Sequence, residues 1–315
     1  MTVSPTQFAS SHHHGPDSLP ENEWGSAKRL EFAASVIAAG EAASVLDVGC
    51  GTGTYLTVPL AHRFPATRFV GADADRGTLA FARERYPLPN LDFCEPEELI
   101  PDERFDVVIA SEVLEHVEDP LAFLSSMRRY LKPTGRLVLT VPNGFGVFAI
   151  AEGVDALLVL TRAYGFLSDL KRRWSKRMAP DSPSAEPSSS GADTLAVSPH
   201  LNFFSYRELT SIVDDAGFSV RAYRGRTVVC GFLVGYLIRG PVATRWNADL
   251  ADRLPPWLVS DWMFELEPSM APRRATGYRR PALARMRRRM IARRWETWSA
   301  GARRRPEGDR MPAAP

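Results

Sequence analysis

The chain has 315 residues, of which 44% are hydrophobic and 10% aromatic, as is usual for a globular protein with a full α/β core. Its three cysteines, Cys50, Cys94 and Cys230, form no CxxC pair, which excludes a disulfide framework and a zinc knot. There is no N-terminal basic-then-apolar signal and no run of about 18 uncharged apolar residues, so we expect a cytoplasmic protein.

The net charge of +2 is unevenly distributed, because residues 272–310 contain 14 arginines and only 3 acidic residues. Such a tail is typical of a solvated extension, of a segment that contacts anionic lipid, or of a nucleic-acid-binding segment. Met286, Trp295 and Trp298 lie among the arginines, which favours peripheral contact with the inner face of a membrane over nucleic acid. No nucleic-acid-reading module accompanies the charge, so we expect no nucleic-acid partner.

Strands and helices alternate through residues 21–268, which form the predicted domain between a disordered lead-in (1–20) and an arginine-rich tail (269–315). Strands are predicted at 44–48, 68–71, 91–94, 105–110, 136–141, 218–223 and 262–266. Strand-and-helix alternation indicates parallel βαβ units. The sequence therefore predicts a Rossmann-like, doubly wound α/β fold: a mostly parallel seven-stranded sheet with helices on both faces.

An insertion at 145–199 interrupts this pattern after the fifth strand. Its first part, 147–170, is apolar and is predicted to form a helical lid over the bound acceptor. Its last part, 178–199, is rich in Ser, Pro and Ala and is predicted to be disordered.

Three glycines at alternate positions follow the first strand, and a helix is predicted to begin near Thr54. Such a turn lets backbone N–H groups approach a ligand closely. Gly49, Gly51 and Gly53 form GxGxG, whereas the dinucleotide fingerprint is GxGxxG. Asp47, two residues before the glycines, would repel a pyrophosphate but suits the ammonium and sulfonium groups of a methionine moiety. The turn therefore predicts a methyl-donor site.

A second acidic residue, Asp73, ends the second strand, 20 residues after Gly53. A carboxylate at this point can accept hydrogen bonds from both hydroxyls of a ribose. The alternative role is to cap the next helix, which Asp75 fits better.

Taken together, VLDVGCGTG (45–53), GADAD (71–75), FDVVIASEVLEHVEDP (105–120), LKPTGRLVLTVPN (131–143) and HLNFFSYRELTSIVDDAGF (200–218) resemble a known family. They resemble the class I S-adenosylmethionine-dependent methyltransferases, in particular the small-molecule O-methyltransferases that include ubiquinone-biosynthesis enzymes. The resemblance implies S-adenosylmethionine as cofactor, with adenine contacts at Glu95 and Pro96. It also implies contacts to the methionine end of the cofactor at Ala110 and Ser111.

The segment after the fourth strand contains Glu112, Glu115 and His116, and related quinone O-methyltransferases hold a divalent cation with such residues. These side chains are chemically suited to a metal, but His116 and its neighbours also recur in the wider family simply lining the cofactor pocket. We therefore expect no metal here and keep the three residues as weak candidates only. An acceptor hydroxyl must lose its proton, and His116 or His200 could accept it because imidazole titrates near neutral pH.

The sequence therefore predicts an enzyme that moves a methyl group by in-line displacement to an oxygen of a small-molecule or lipid-linked acceptor. Two alternatives stay open: a non-catalytic cofactor-binding interaction module of the same fold, and an NAD-type oxidoreductase. A quinone precursor, a sugar hydroxyl on an envelope lipid and a free polyketide all stay open as acceptors.

Overall fold

The computed structural model describes residues 19, 21–22, 24–146, 200–230 and 240–269, together with 282, 285 and 286. The predicted lid from residue 147 onward and nearly all of the predicted lead-in and tail lie outside these residues. The domain boundaries therefore remain predictions.

Strands and helices alternate along the described chain. The strands are β1 (Ser44–Val48), β2 (Arg68–Ala72), β3 (Leu91–Cys94), β4 (Phe105–Ser111), β5 (Leu131–Pro142), β6 (Phe218–Gly225) and β7 (Asp261–Pro268). The α-helices are α1 (Ser26–Ala39), α2 (Thr57–Arg63), α3 (Arg76–Arg85), α4 (Pro120–Met127), α5 (Tyr206–Asp215) and α6 (Pro241–Ala251).

All seven strands form one sheet in the order β3-β2-β1-β4-β5-β7-β6. Strands β1 to β5 pair in parallel, whereas β7 runs antiparallel to both of its neighbours, β5 and β6. In the register, Val48 pairs with Ala72 of β2 and with Ala110 of β4, so these three strands end side by side. The predicted mostly parallel seven-stranded sheet is confirmed, and the residues that follow β1, β2 and β4 meet at one edge.

The sheet is covered on both faces by helices, as predicted. On one face α1, α2 and α3 pack over a core that includes Leu30, Leu60 and Leu79. On the other face α4 and α5 pack over a core that includes Leu124 and Leu209. Among the helices in the described part of the chain, none combines the length and apolarity needed to cross a bilayer.

Two elements begin three or more positions away from where they were predicted to begin. Helix α2 begins at Thr57 instead of near Thr54, because the left-handed Gly53 and the irregular backbone of Leu56 extend the turn. Strand β5 begins at Leu131, before the predicted 136, because Leu131 pairs with Phe105 ahead of a register shift in β4.

Candidate functional site

The glycine turn after β1 is packed on one side and open on the other. Gly49, Gly51 and Gly53 have φ of 73°, 54° and 71°, a left-handed conformation that side chains other than hydrogen tolerate poorly. A Cβ on Gly49 would overlap the side chain of Val113, whereas a Cβ on Gly51 would meet no atom within 4 Å. The backbone at Gly51 is therefore the part of the turn that a ligand can approach.

Asp73 connects the end of β2 to this turn. Its Oδ2 accepts a hydrogen bond from the Gly51 N–H (2.8 Å), and its Oδ1 accepts one from the Asp75 N–H (2.9 Å). Each carboxylate oxygen has a second lone pair, so Asp73 can still accept hydrogen bonds from ribose hydroxyls. Asp75 caps α3 by accepting from the N–H groups of Gly77 and Thr78. This confirms the capping role predicted for Asp75, whereas the ribose contact of Asp73 remains a prediction.

Asp47 lies deeper than its sequence position suggests, with only 2% of its surface exposed. Its Oδ2 accepts a hydrogen bond from Thr57 Oγ1 (2.6 Å). Burial raises the pKa of Asp47 to about 7, against the opposing effects of Thr57 and the Arg29 charge. An approaching ammonium group would favour the charged form, so Asp47 can respond to a cationic ligand.

Arg29, on the first turn of α1, lies at the same edge of the sheet and was not singled out from the sequence. Its Nη1 donates to Ser111 Oγ at the end of β4 (3.3 Å), and its buried Nε has no hydrogen-bond partner among the described residues. Burial and the nearby Arg226 charge lower its pKa, an effect that an anionic ligand would oppose. No sequence signal marks Arg29, because α1 reads as an ordinary packing helix.

Glu95 and Pro96 lie beyond β3, where Pro96–Glu98 forms a short 3-10 helix. Glu95 Oε2 accepts a hydrogen bond from Arg76 Nε (2.8 Å), and the Glu95 N–H donates to Glu98 Oε2 (2.8 Å). Glu95 borders an open depression of about 470 Å³, which Ala74, Arg76, Glu97 and Glu98 also line. Because the depression adjoins the end of β2, it can hold a planar group attached to a ribose at Asp73.

Glu112 follows Ser111 and does not join Glu115 and His116, the other two weak metal candidates. Its Oε1 accepts a hydrogen bond from Thr140 Oγ1 (2.7 Å), and its Oε2 forms an ion pair with Arg226 Nη1 (3.1 Å). Burial alone would raise the pKa of Glu112, but Arg226 and Arg29 together hold it below its usual value. Arg226 also pairs with Asp261 (3.6 Å between Nη1 and Oδ1). Neither Arg226 nor Asp261 was singled out from the sequence.

Glu115, His116 and His200 form a separate cluster whose candidate ligand atoms lie within 4.8 Å of one another. The two imidazole rings meet edge to face with centroids 4.9 Å apart, and Glu115 Oε1 lies 3.8 Å from His116 Nε2. Burial, and then the charge of Glu112, raise the pKa of Glu115 well above its usual value. The structure thus brings together His116 and His200, the two candidate bases, and groups His200 instead of Glu112 with Glu115 and His116.

Hydrogen bonds to backbone carbonyls fix the loop that carries His200 to the segment after β4. The N–H groups of Leu201 and Asn202 donate to the Glu115 carbonyl (2.7 and 2.9 Å). The Asn202 side chain donates to the carbonyls of Leu114 (3.1 Å) and Val117 (2.7 Å). These hydrogen bonds therefore join two distant parts of the chain and support the histidine cluster.

The residues at this edge fit a ligand that joins a ribose to an amino-acid zwitterion. Gly51 offers open backbone, Asp73 has acceptor capacity for hydroxyls, and Arg29 has a donor without a partner among the described residues. Asp47 carries a carboxyl group whose pKa a nearby ammonium would lower. S-adenosylmethionine has these groups in this order.

Comparison with known proteins identifies the family. A family model described as "Methyltransferase domain" matches residues 23–223, well over half of the chain. The chain belongs to this methyltransferase-domain family. The predicted family is confirmed, and the predicted class, an S-adenosylmethionine-dependent methyltransferase, agrees with this membership.

Individual relatives match shorter regions. A ubiquinone biosynthesis O-methyltransferase of Bradyrhizobium diazoefficiens is 37% identical over 142 residues, 44% of this chain and 53% of that protein. A probable S-adenosylmethionine-dependent methyltransferase of Mycolicibacterium smegmatis is 38% identical over 100 residues, 31% of this chain and 38% of that protein. The chain thus spans about half the length or less of these curated relatives.

Among solved structures, PKMT2 from Rickettsia typhi in complex with AdoHcy is similar to this chain with a TM-score of 0.49 and 14% sequence identity. The similarity covers 84% of this chain and 56% of that one.

Proposed function

We propose that this chain transfers a methyl group from S-adenosylmethionine to an oxygen atom of a small-molecule acceptor. The observation that carries the proposal is the convergence, at one edge of the sheet, of the open glycine turn, Asp73 and Arg29 beside the pair His116 and His200. Transfer to oxygen is supported by the names of the relatives, several of which are ubiquinone biosynthesis O-methyltransferases.

The donor side of the site binds and orients the donor. Asp73 accepts hydrogen bonds from the ribose hydroxyls while it keeps its bonds to the Gly51 and Asp75 N–H groups. Arg29 binds the carboxylate of the methionine moiety through Nε, and Asp47 balances its ammonium group. Glu95, Pro96 and the depression beside them receive the adenine, and the backbone of Ala110 and Ser111 borders the methionine end.

When bound, S-adenosylmethionine supplies a methyl group on a sulfonium, so its transfer needs alignment more than acid chemistry. The acceptor oxygen must still lose its proton. His116 or His200 accepts that proton at a ring nitrogen, and the buried Glu115 beside them keeps the pair in place. The three side chains also have the ligand types for a divalent cation, and metal dependence is a testable variant of this proposal.

Calorimetric titration with S-adenosylhomocysteine tests donor binding, and NAD serves as the competing ligand. We expect S-adenosylhomocysteine to bind and NAD to give no heat, whereas the reverse result would overturn the donor assignment. Arg29→Met should weaken the binding of S-adenosylhomocysteine by about tenfold or more, because a charged hydrogen bond is lost. Arg63→Met is the matched control, because Arg63 forms an exposed ion pair with Glu31, away from the glycine turn and Ser111.

Transfer itself is tested with S-adenosylmethionine carrying an isotopically labelled methyl group. The acceptors are a dihydroxylated quinone precursor, a lipid-linked sugar and a polyketide phenol, each assayed with and without added Mg²⁺ and with a chelator. A labelled methyl group bonded to an oxygen of one acceptor, as a methyl ether, supports the proposal. Donor binding without transfer to any acceptor would favour the non-catalytic interaction module.

A further inference from the structure

The turn after β4 contains a backbone conformation that needs support. Glu112 has φ of 57°, and Glu112 and Glu41 are the non-glycine residues with positive φ in the described part of the chain. For a residue with a long side chain the left-handed conformation is unfavourable, and it persists only where the surroundings enforce it. Whatever holds Glu112 therefore determines the path of the chain after β4.

The contacts of Glu112 come from β5 and from the chain after β6. Its N–H donates to the Thr140 carbonyl (3.0 Å), and its Oε1 accepts from Thr140 Oγ1 (2.7 Å). Its Oε2 pairs with Arg226 Nη1 (3.1 Å). Thr140 lies on the neighbouring strand, whereas Arg226 is supplied from a segment more than 100 residues away.

Arg226 is itself held from several sides. Its side chain is only 7% exposed, and its Nη1 also faces Asp261 at the start of β7. Its Nε donates to the Trp24 carbonyl, and its Cγ lies against Gly25, which has a left-handed φ of 65°. Arg226 therefore connects the β6–β7 end of the sheet, the entrance to α1 and the turn after β4.

The turn at Glu112 affects both halves of the site. The next residue, Val113, packs against Gly49 so closely that a Cβ there would overlap it. Glu115 lies three residues after Glu112, and its carbonyl accepts hydrogen bonds from the N–H groups that hold the His200 loop. A change in the backbone at Glu112 would thus move Val113, which packs against the glycine turn, and the Glu115 carbonyl, which holds the His200 loop.

From these contacts we infer that Arg226 is a positioning residue for donor binding, which it supports by holding Glu112 in its left-handed conformation. Arg226 reaches the donor through Glu112, Val113 and Gly49 and needs no contact with the donor itself. The inference rests on the proposed function for its choice of ligand, S-adenosylhomocysteine.

The test uses glycine, which adopts the left-handed conformation without support. The full-length protein is compared with R226Q, E112Q/R226Q and E112G/R226Q by calorimetric titration with S-adenosylhomocysteine. R226Q should weaken binding by about tenfold or more. E112Q/R226Q removes the unpaired carboxylate but keeps the backbone cost, so its binding should remain weak. E112G/R226Q removes both the unpaired carboxylate and the cost of the left-handed backbone at residue 112. It should bind S-adenosylhomocysteine about tenfold more tightly than E112Q/R226Q, because a factor of ten corresponds to the free energy of placing a non-glycine residue in that conformation.

Arg224→Gln is the matched control, because the half-exposed Arg224 lies two residues away and pairs with Asp252. It should leave the dissociation constant within twofold of wild type. Binding by R226Q within twofold of wild type would overturn the inference, as would equal binding by E112G/R226Q and E112Q/R226Q.

Thermal unfolding of the same proteins without ligand tests the turn independently of the donor. E112G/R226Q should unfold at a higher temperature than E112Q/R226Q. If wild type fails to bind S-adenosylhomocysteine, the proposed function fails while this order still supports the role of Arg226 in the turn. The opposite order contradicts that role whatever the protein binds.

Discussion

The proposed donor side and the proposed acceptor side of the site are built in different ways. On the donor side, Asp47, the three glycines and Asp73 come from one βαβ unit, and backbone groups make most of the contacts. On the acceptor side, His116 meets His200 across 84 positions of sequence. Glu112 and Arg226, whose contact supports both halves, are 114 positions apart. The donor side is thus local in sequence, and backbone conformation sets its shape. The acceptor side is assembled from distant segments, and contacts between their side chains set its shape.

The sharpest test of the junction between the two halves is Gly49→Ala. The substitution adds the left-handed backbone cost and an overlap with Val113, so the free energy of unfolding should fall by about 2–5 kcal/mol. Gly51→Ala adds only the backbone cost, because no atom lies near its Cβ. Chemical denaturation measures both. Equal losses would mean that the two halves are not packed against each other at Val113.

Asp47 tests how deeply the donor side is buried. Its pKa is raised to about 7 from an ordinary 3.8, so the folded protein holds the proton more tightly than the unfolded chain does. Stability from this group is greatest below about pH 4 and is lost as pH rises to about 7. Relative to Asp47→Asn, wild type should lose about 2–3 kcal/mol of unfolding free energy between pH 5 and pH 8. A difference that does not change with pH would show that Asp47 is solvated.

Asp73→Ala tests the local donor site directly. Loss of charged hydrogen bonds to the ribose should weaken the binding free energy of S-adenosylhomocysteine by about 1–3 kcal/mol, as measured by calorimetry. Asp75→Ala is the control: it removes the cap of α3 and costs about 1 kcal/mol of stability, with no change in the dissociation constant. An unchanged constant in Asp73→Ala would remove Asp73 from the site.

Asn202→Ala tests the assembled side alone. It leaves the Leu114 and Val117 carbonyls without the side-chain donor and should lower stability by about 1–2 kcal/mol. Methyl transfer should fall while S-adenosylhomocysteine binds as before.

Asn90→Ala is the matched control, since Asn90 donates to the carbonyls of Ala61, Phe64 and Thr67 at the opposite end of β2. It should lower stability by a similar amount with no change in transfer. A parallel loss of donor binding in Asn202→Ala would show that the two halves respond as one.

Most of the fold was predictable, because apolar runs and alternating elements report directly on strands buried between helices. The boundaries that differed, at Thr57 and Leu131, depend on a left-handed glycine and on a pairing with Phe105 that the local pattern does not reveal. The predicted roles of Glu95, Ala110 and Ser111 remain predictions, although the structure puts all three at the expected edge.

The sequence by itself determined the donor side, since the glycine spacing, Asp47 and Asp73 lie within 27 positions and their geometry follows from one strand, one turn and the next strand. Only the tertiary structure decided which side chains complete the site. It turned Glu112 toward Arg226, put His200 beside Glu115 and His116, and brought Arg29 to Ser111. Such contacts depend on how β6, β7 and α1 pack against the sheet, and packing between distant segments leaves no periodic pattern in the chain.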